Sequence, residues 1–345
     1  EADLVIGIGT RFSDFTTASK ALYPNAKVIS VNTSAYHADK LSALRVLGDA
    51  KVTVVALDKA LEGYKSSYEG EIKAAKENWA KEYDRLAKVE FGKGYQGEVE
   101  SKTPFTMEDF SKLTGSALCQ TAAIAKIREV IDKNAIVVGA SGSLPGCLQR
   151  MWETDSKYGY NMEYGYSCMG YEIAGALGSK LAEPGREVYA MAGDGSYLML
   201  HSELVTAVQE GVKINVLLFD NGGFGCINNL QMGSGIDSAC TEFRFRNGDE
   251  SVPTGSFMHI DYAMSAKGYG CKTYTAKSLE ELEEALIDSK KQTVSTLIDI
   301  KVLPKTMTSG YGGWWNTGCS TLPRNDRQEK TLKEKEDALK KARKY

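Results

Sequence analysis

Two short segments carry residue types suited to holding a metal ion and an anion together. Gly193-Asp194-Gly195-Ser196 closes the apolar run Val188–Ala192, and Asp220-Asn221-Gly222-Gly223 closes Ile214–Phe219. Asp194 offers a hard anionic oxygen, Asn221 a neutral amide oxygen, and Gly223 a backbone carbonyl in a turn. Three such oxygens, two phosphate oxygens and a water complete the six-coordinate shell that Mg²⁺ prefers. Gly195 and Ser196 place backbone N–H donors at a helix start, where an anion is favoured. A carboxylate alone repels a diphosphate, but a bound Mg²⁺ reverses the sign of the local field.

Taken singly, G-D-G and D-N-G-G are common turn sequences. Their joint placement is more specific: each ends an apolar strand, and Asn221 lies 27 positions beyond Asp194. One crossover helix fits that interval, which makes the two strand ends spatial neighbours. Ligands of open parallel sheets bind beyond the carboxyl ends of the strands.

The elements that must position these residues follow from the apolar patterning. Over residues 1–63, strands at Leu4–Ile8 and Val28–Val31 alternate with helices at Asp14–Leu22 and Val52–Leu61, a βαβ rhythm that implies a parallel sheet covered on both faces. Residues 64–115 shift to Lys, Glu, Gly and Tyr and read as a charged linker with a helix at Glu71–Val89. Alternation then resumes over 116–320. Helices are expected at Thr121–Ile131, Met169–Leu181, Glu203–Gln209, Tyr262–Lys267 and Leu279–Ile287. The strands between them are Ile136–Val138, Val188–Ala192, Ile214–Phe219, Lys272–Thr275 and Thr296–Ile300. Leu230–Phe257 is aperiodic and reads as a loop. The tail, 321–345, is Lys/Glu-rich and reads as a surface helix or a frayed end. The fold class is α/β, with doubly wound parallel sheets.

Bulk composition excludes several classes. Of 345 residues, 42% are hydrophobic and 25% charged, the balance of a globular protein. The net charge of −3 gives no reason to expect nucleic acid or an anionic membrane as partner. No apolar run approaches the roughly 18–20 residues of a membrane span. The seven cysteines form no C-x-x-C pair, and the three histidines are dispersed, so neither a disulfide framework nor a zinc site is signalled. A reducing cytoplasm fits. Gly7-Ile8-Gly9 opens a dinucleotide-binding pattern, but Phe12 occupies its third glycine position. The chain enters its first strand directly after Glu1-Ala2-Asp3, which reads as a fragment lacking its N-terminal portion.

The G-D-G segment followed by Asn221 resembles the diphosphate motif of the thiamine diphosphate (ThDP)-dependent enzyme family. The resemblance implies ThDP and Mg²⁺ as cofactors, with Asp194, Asn221 and Gly223 on the metal and Gly195 and Ser196 on the diphosphate. Met169, in Cys168-Met169-Gly170-Tyr171, matches the family's apolar support for the bent cofactor. Ser141-Gly142-Ser143 resembles the loop that also reaches the diphosphate, through Ser143. Leu4–Ile8 with Gly9-Thr10-Arg11, Val28–Val31 and Gly48-Asp49-Ala50 are similar to the central domain of the acetolactate synthase and pyruvate oxidase branch. Residues 1–63 would then be the C-terminal part of that domain and 116–320 the diphosphate domain.

Three stretches are closer still to ring-opening hydrolases of inositol breakdown: Arg11–Thr17, Glu163–Glu172, and Lys301–Met307 with Gly310–Asn316. That resemblance implies a polyhydroxylated cyclic dione as substrate, with Trp314-Trp315 as a lid or as ordinary packing. It also implies a homo-oligomer, a dimer or tetramer, whose activating Glu lies on an N-terminal pyrimidine-binding domain, so this chain alone is expected to be inactive. Tyr166, Ser167 and Asn316 are substrate candidates by placement only. His201 and His259 read as structural, and no catalytic acid or base is assigned. An acetolactate-type carboligase, a 2-oxoacid decarboxylase and a non-catalytic cofactor-binding module remain open.

Overall fold

The computed structural model describes residues 2–92, 95, 97, 106–163, 165–308 and 315–344. The chain divides into two compact units, one of Glu1–Lys76, Gly233–Ile236 and Gly310–Tyr345, the other of Glu77–Met232 and Asp237–Ser309.

The first unit holds β1 (Leu4–Ile8), α1 (Asp14–Thr17), β2 (Lys27–Asn32), α2 (Ala35–Ala38), β3 (Leu44–Leu47) and α3 (Ala50–Ala60). Its strands pair in parallel in the order β1-β2-β3. Helix α1 is shorter than the sequence suggests, because Ala18, Ser19 and Lys20 all turn left-handed. A Cβ on Gly7 would stand 2.2 Å from the Phe12 ring, so Phe12 covers the space a dinucleotide-binding loop would leave open. Asp49 caps α3 by accepting from the Val52 N–H at 3.1 Å, a contact that typically stabilises by about 1 kcal/mol.

Helix α4 (Glu69–Ala87) leads into the second unit, followed by α5 (Thr106–Thr114), α6 (Gln120–Val130), β4 (Ile136–Gly139), α7 (Ser143–Met151) and β5 (Tyr160–Met162). Next come α8 (Tyr171–Ala182), β6 (Val188–Gly193), α9 (Asp194–Leu200), α10 (Glu203–Gln209), β7 (Asn215–Asp220) and α11 (Gly225–Gly233). The unit closes with α12 (Tyr262–Gly268), β8 (Lys272–Ala276), α13 (Leu279–Lys291) and β9 (Thr296–Lys301); α14 (Asp326–Lys341) belongs to the first unit. The segment expected to be a linker therefore contains α4 and α5, and Met107 and Phe110 of α5 are buried against Phe257 and Leu303.

Six parallel strands form one sheet in the order β5-β4-β6-β7-β9-β8. Side chains alternate between its faces with the strand period of two. Val137, Tyr189, Met191, Leu217, Phe219, Ile298 and Ile300 enter one core, while Ile136, Val138, Val188, Ala190, Val216, Leu218 and Leu297 enter the other. All six residues of β7 and of β9 are buried, as a central parallel strand requires. The chain runs from β4 outward to β5 and returns on the other side as β6. That reversal is a topological switch point, where the sheet opens a crevice at the carboxyl ends of its strands.

Among the described residues, no helix is long and apolar enough to cross a membrane.

Candidate cofactor site

The carboxyl ends of β6 and β7 lie side by side, with Gly193 opposite Phe219 in register. Asp194 is 1% exposed, and its carboxylate joins the two ends. Oδ1 accepts from the Gly195 N–H at 2.8 Å and Oδ2 from the Gly223 N–H at 2.8 Å. Burial, then the nearby Asp220 carboxylate, push the Asp194 carboxyl well above the usual range, against the pull of the Gly195 and Gly223 N–H groups. A divalent cation at this point would reverse that field.

Asn221 is 7% exposed, and its Oδ1 is buried without a hydrogen-bond partner. A buried polar atom left unpaired costs about 1–3 kcal/mol, which makes this oxygen a ready ligand for a cation. Only glycine fits at 223, where φ is +155° and a Cβ would stand 2.5 Å from the Thr241 carbonyl. The Gly223 carbonyl accepts one hydrogen bond, from the Gly225 N–H at 3.0 Å, and keeps a second lone pair. The structure thus brings Asp194, Asn221 and Gly223 together at adjacent strand ends. A small cavity lined by Asn221, Gly223, Gly225, Thr241, Lys305 and Met307 adjoins them.

The other sequence-derived positions lie on neighbouring loops. Gly195 is the second residue of α9, with a hypothetical Cβ 2.5 Å from the Phe224 ring. The Ser196 hydroxyl donates to Glu172 Oε1 at 2.9 Å. Ser143 opens α7, and its Oγ exchanges hydrogen bonds with the Gln120 side chain at 3.2 and 3.3 Å. In the same loop the Ser141 hydroxyl is buried and unpaired, so Ser141 has the freer oxygen. Half-buried Met169 sits on the turn that enters α8. Tyr166 is 87% exposed. Asn316 lies in the first unit, where its N–H donates to Ser19 Oγ at 2.9 Å. Tyr164 and Gly310–Trp314 lie outside the described residues. His201 bonds and stacks with Tyr269 through its Nδ1 and ring, as a structural residue does.

Sequence reasoning missed three buried polar groups around this site. Lys301, at the end of β9, ion-pairs with Asp220 at 2.5 Å and Asp299 at 2.9 Å and donates to the Ile260 carbonyl. Burial pushes the Asp299 carboxyl up to about 7, while burial of Lys301 is outweighed by Asp220 and Asp299, which hold its ammonium above the ordinary range. Lys305 meets the amide oxygens of Asn228 and Asn229, and burial lowers it to about 8. Burial likewise raises Glu172, partly offset by hydrogen bonds from Ser196, Gly170 and Ser141. The available signal was a charge inside an apolar run: Asp299 and Lys301 within Thr296–Lys301, and Glu172 within Tyr171–Ala182.

The C-terminal TPP binding domain of thiamine pyrophosphate enzymes matches residues 140–300, and the central domain of the same enzymes matches residues 1–57. The chain belongs to the thiamine pyrophosphate enzymes. Among thiamine pyrophosphate enzymes with curated names, the chain is similar to 3D-(3,5/4)-trihydroxycyclohexane-1,2-dione hydrolases. It is 55% identical over 345 residues to that of Geobacillus thermodenitrificans, 58% over 349 to that of Clostridium perfringens, and 57% over 350 to that of Bacillus thuringiensis. Each comparison covers 100% of this chain and 54% of the relative. The chain spans about half the length of the curated relatives it matches.

For a thiamine pyrophosphate enzyme the residues present fit the cofactor and its metal. The donor set of carboxylate, amide and carbonyl oxygens is that of a hard cation. The unpaired Asn221 Oδ1 supplies a ligand that the protein itself leaves unused.

Proposed function

We propose that the protein carrying this chain is a ThDP- and Mg²⁺-dependent hydrolase. It opens the ring of 3D-(3,5/4)-trihydroxycyclohexane-1,2-dione to 5-deoxyglucuronate in myo-inositol degradation. The observation that carries this reading is the identity of 55–58% along the whole chain to relatives bearing that name. Water is added across the bond between the two carbonyl carbons, so one ends as an acid and the other as an aldehyde.

When bound, ThDP supplies the nucleophilic carbon and electron sink that carbon–carbon cleavage beside a carbonyl requires. Asp194, Asn221 and the Gly223 carbonyl would hold Mg²⁺. Backbone N–H groups of Gly195 and Ser196, with the Ser141–Ser143 loop, would face the diphosphate. Met169 would support the ring system. In this reading residues 1–63 close a central domain, 64–115 connect it, 116–320 form the diphosphate domain and 321–345 the tail. The catalytic centre is completed by a pyrimidine-binding domain in a cytoplasmic homo-oligomer.

The test is ring opening of the dione by the full-length protein, with and without ThDP and Mg²⁺, beside Asp194→Ala. Cofactor-dependent release of the acid, lost in the variant, is the expected result. Dione left intact while pyruvate is consumed would move the protein to the carboligase or decarboxylase branch.

A further inference from the structure

Glu172 lies in the first turn of α8, within a helix otherwise built from small and apolar residues apart from Lys180. The residue is 1% exposed. Placing a carboxylate there is costly unless its oxygens are fully hydrogen-bonded. They are. The Gly170 N–H donates to Oε2 at 2.9 Å, and the Ser196 hydroxyl donates to Oε1 at 2.9 Å. The Ser141 backbone N–H adds a smaller pull that favours the charged carboxylate.

These three donors come from separate parts of the chain: the loop after β4, the turn before α8 and the start of α9. Each segment carries a residue assigned to the cofactor, namely Ser143, Met169, or Asp194 with Gly195. The turn also lies hard against α9, since a Cβ on Gly170 would come within 2.8 Å of Leu200 Cβ. A carboxylate accepts at both oxygens, with about four lone-pair sites, whereas an amide offers one oxygen and turns donors toward donors at the other. A fixed separation of three loops therefore depends on the carboxylate specifically.

We propose that Glu172 is a positioning residue, a buried clamp that holds the Ser141–Ser143 loop, the Met169–Gly170 turn and the Asp194–Ser196 helix start in the arrangement that binds ThDP. The inference rests on the cofactor reading given above. Glu172 touches neither metal nor substrate in this role; it acts through Gly170, Ser141 and Ser196.

The test is titration of the full-length protein with ThDP at saturating Mg²⁺, followed calorimetrically, for the wild type, Glu172→Gln, Glu172→Asp, Ser196→Ala and Glu172→Gln/Ser196→Ala. Circular dichroism checks the fold, and the temperature is kept well below the melting point of each cofactor-free variant. A carboxylate clamp predicts that Glu172→Gln weakens ThDP binding on the order of tenfold or more. Glu172→Asp recovers part of the loss, and the double variant binds no worse than Glu172→Gln alone, because both changes break one contact. A residue that only stabilises the core would lower the melting point and leave the affinity in place. Folded Glu172→Gln binding ThDP within about twofold of the wild type overturns the inference. If Glu172→Gln does not fold, unchanged affinity in folded Ser196→Ala overturns it equally. A wild type that fails to bind ThDP overturns the cofactor reading itself, an outcome separate from either variant result.

Discussion

Asp194 and Asp220 end neighbouring strands of one sheet, and their charges are met in different ways. Two backbone N–H groups face Asp194, whereas the Lys301 ammonium faces Asp220. Asp220 is also anchored at its other oxygen, which accepts from the Gly222 N–H at 3.0 Å. One carboxylate is therefore paired with a cation inside the fold, and the other, met only by N–H groups, is ionised most readily when a cation from outside binds it. The difference teaches that proximity to a site does not make an acid a ligand. What separates the two is the ammonium carried by the end of β9.

The largest test of that contrast removes the available carboxylate. Asp194→Ala in the full-length protein is expected to weaken Mg²⁺-dependent ThDP binding by more than about 100-fold, since even outer-shell partners of metal ligands are worth about 10–100-fold. Isothermal titration reads it, and retained affinity would place the metal elsewhere. Next comes the neutralised acid. Lys301→Met leaves Asp220 and Asp299 buried without their cation, so urea unfolding should report a loss of about 3–5 kcal/mol. A variant as stable as the wild type would mean that the ion pair contributes nothing.

The third test is a pH dependence. Asp299 has a folded-state pKa raised to about 7, first by burial, against about 3.9 when unfolded. The folded form thus holds a proton that the unfolded form has released, and stability is lost as the pH rises from about 4 through 7. Relative to Asp299→Asn, the wild type should therefore become progressively less stable across that window in urea titrations. A constant difference would show that Asp299 is ionised throughout. The smallest expected effect belongs to the other unit. Val55→Lys on α3, where Val55 is 66% exposed, should shift stability by no more than about 0.5 kcal/mol. A larger loss would mean that this helix face is covered in the full-length protein.

Much of the second unit was legible because its elements are long and its strands apolar. The expected Glu203–Gln209 helix has those bounds in the structure, and Ile214–Phe219 is displaced by one residue to Asn215–Asp220. Helix α7 was not anticipated. Ser141-Gly142-Ser143 read as a loop, yet Ser143 opens the helix and Pro145 follows in its first turn, where a proline's missing N–H has no intrahelical partner. Helix α11 was hidden in the same way by the glycine-rich turn that precedes it. Helix α5 was submerged in charged composition, since Met107 and Phe110 are the only apolar residues among the four it buries, beside Thr106 and Thr114.

At the site, the metal-type oxygens were readable from residue type and spacing alone. The Lys301 pair and the Glu172 clamp were not, because each partner is distant in sequence and is joined only by sheet order and helix packing. For Ser143 and Ser196 the sequence identified the segment, while the structure shows their hydroxyls engaged by Gln120 and Glu172.

The alternation of the six-stranded sheet has a consequence for how such a protein can change. Val216, Leu217, Leu218 and Phe219 of β7 are each committed to one of two cores, and Asp220 and Asn221 follow immediately. Inserting a single residue within β7 would exchange Leu217 with Val216 across the sheet. The same slip would carry Asp220 into the place of Asn221 and present Lys301 with the Phe219 ring. New specificity can therefore arise by lengthening or replacing the loops beyond the strands, such as residues 234–257, while the strands themselves admit substitutions but no change of length.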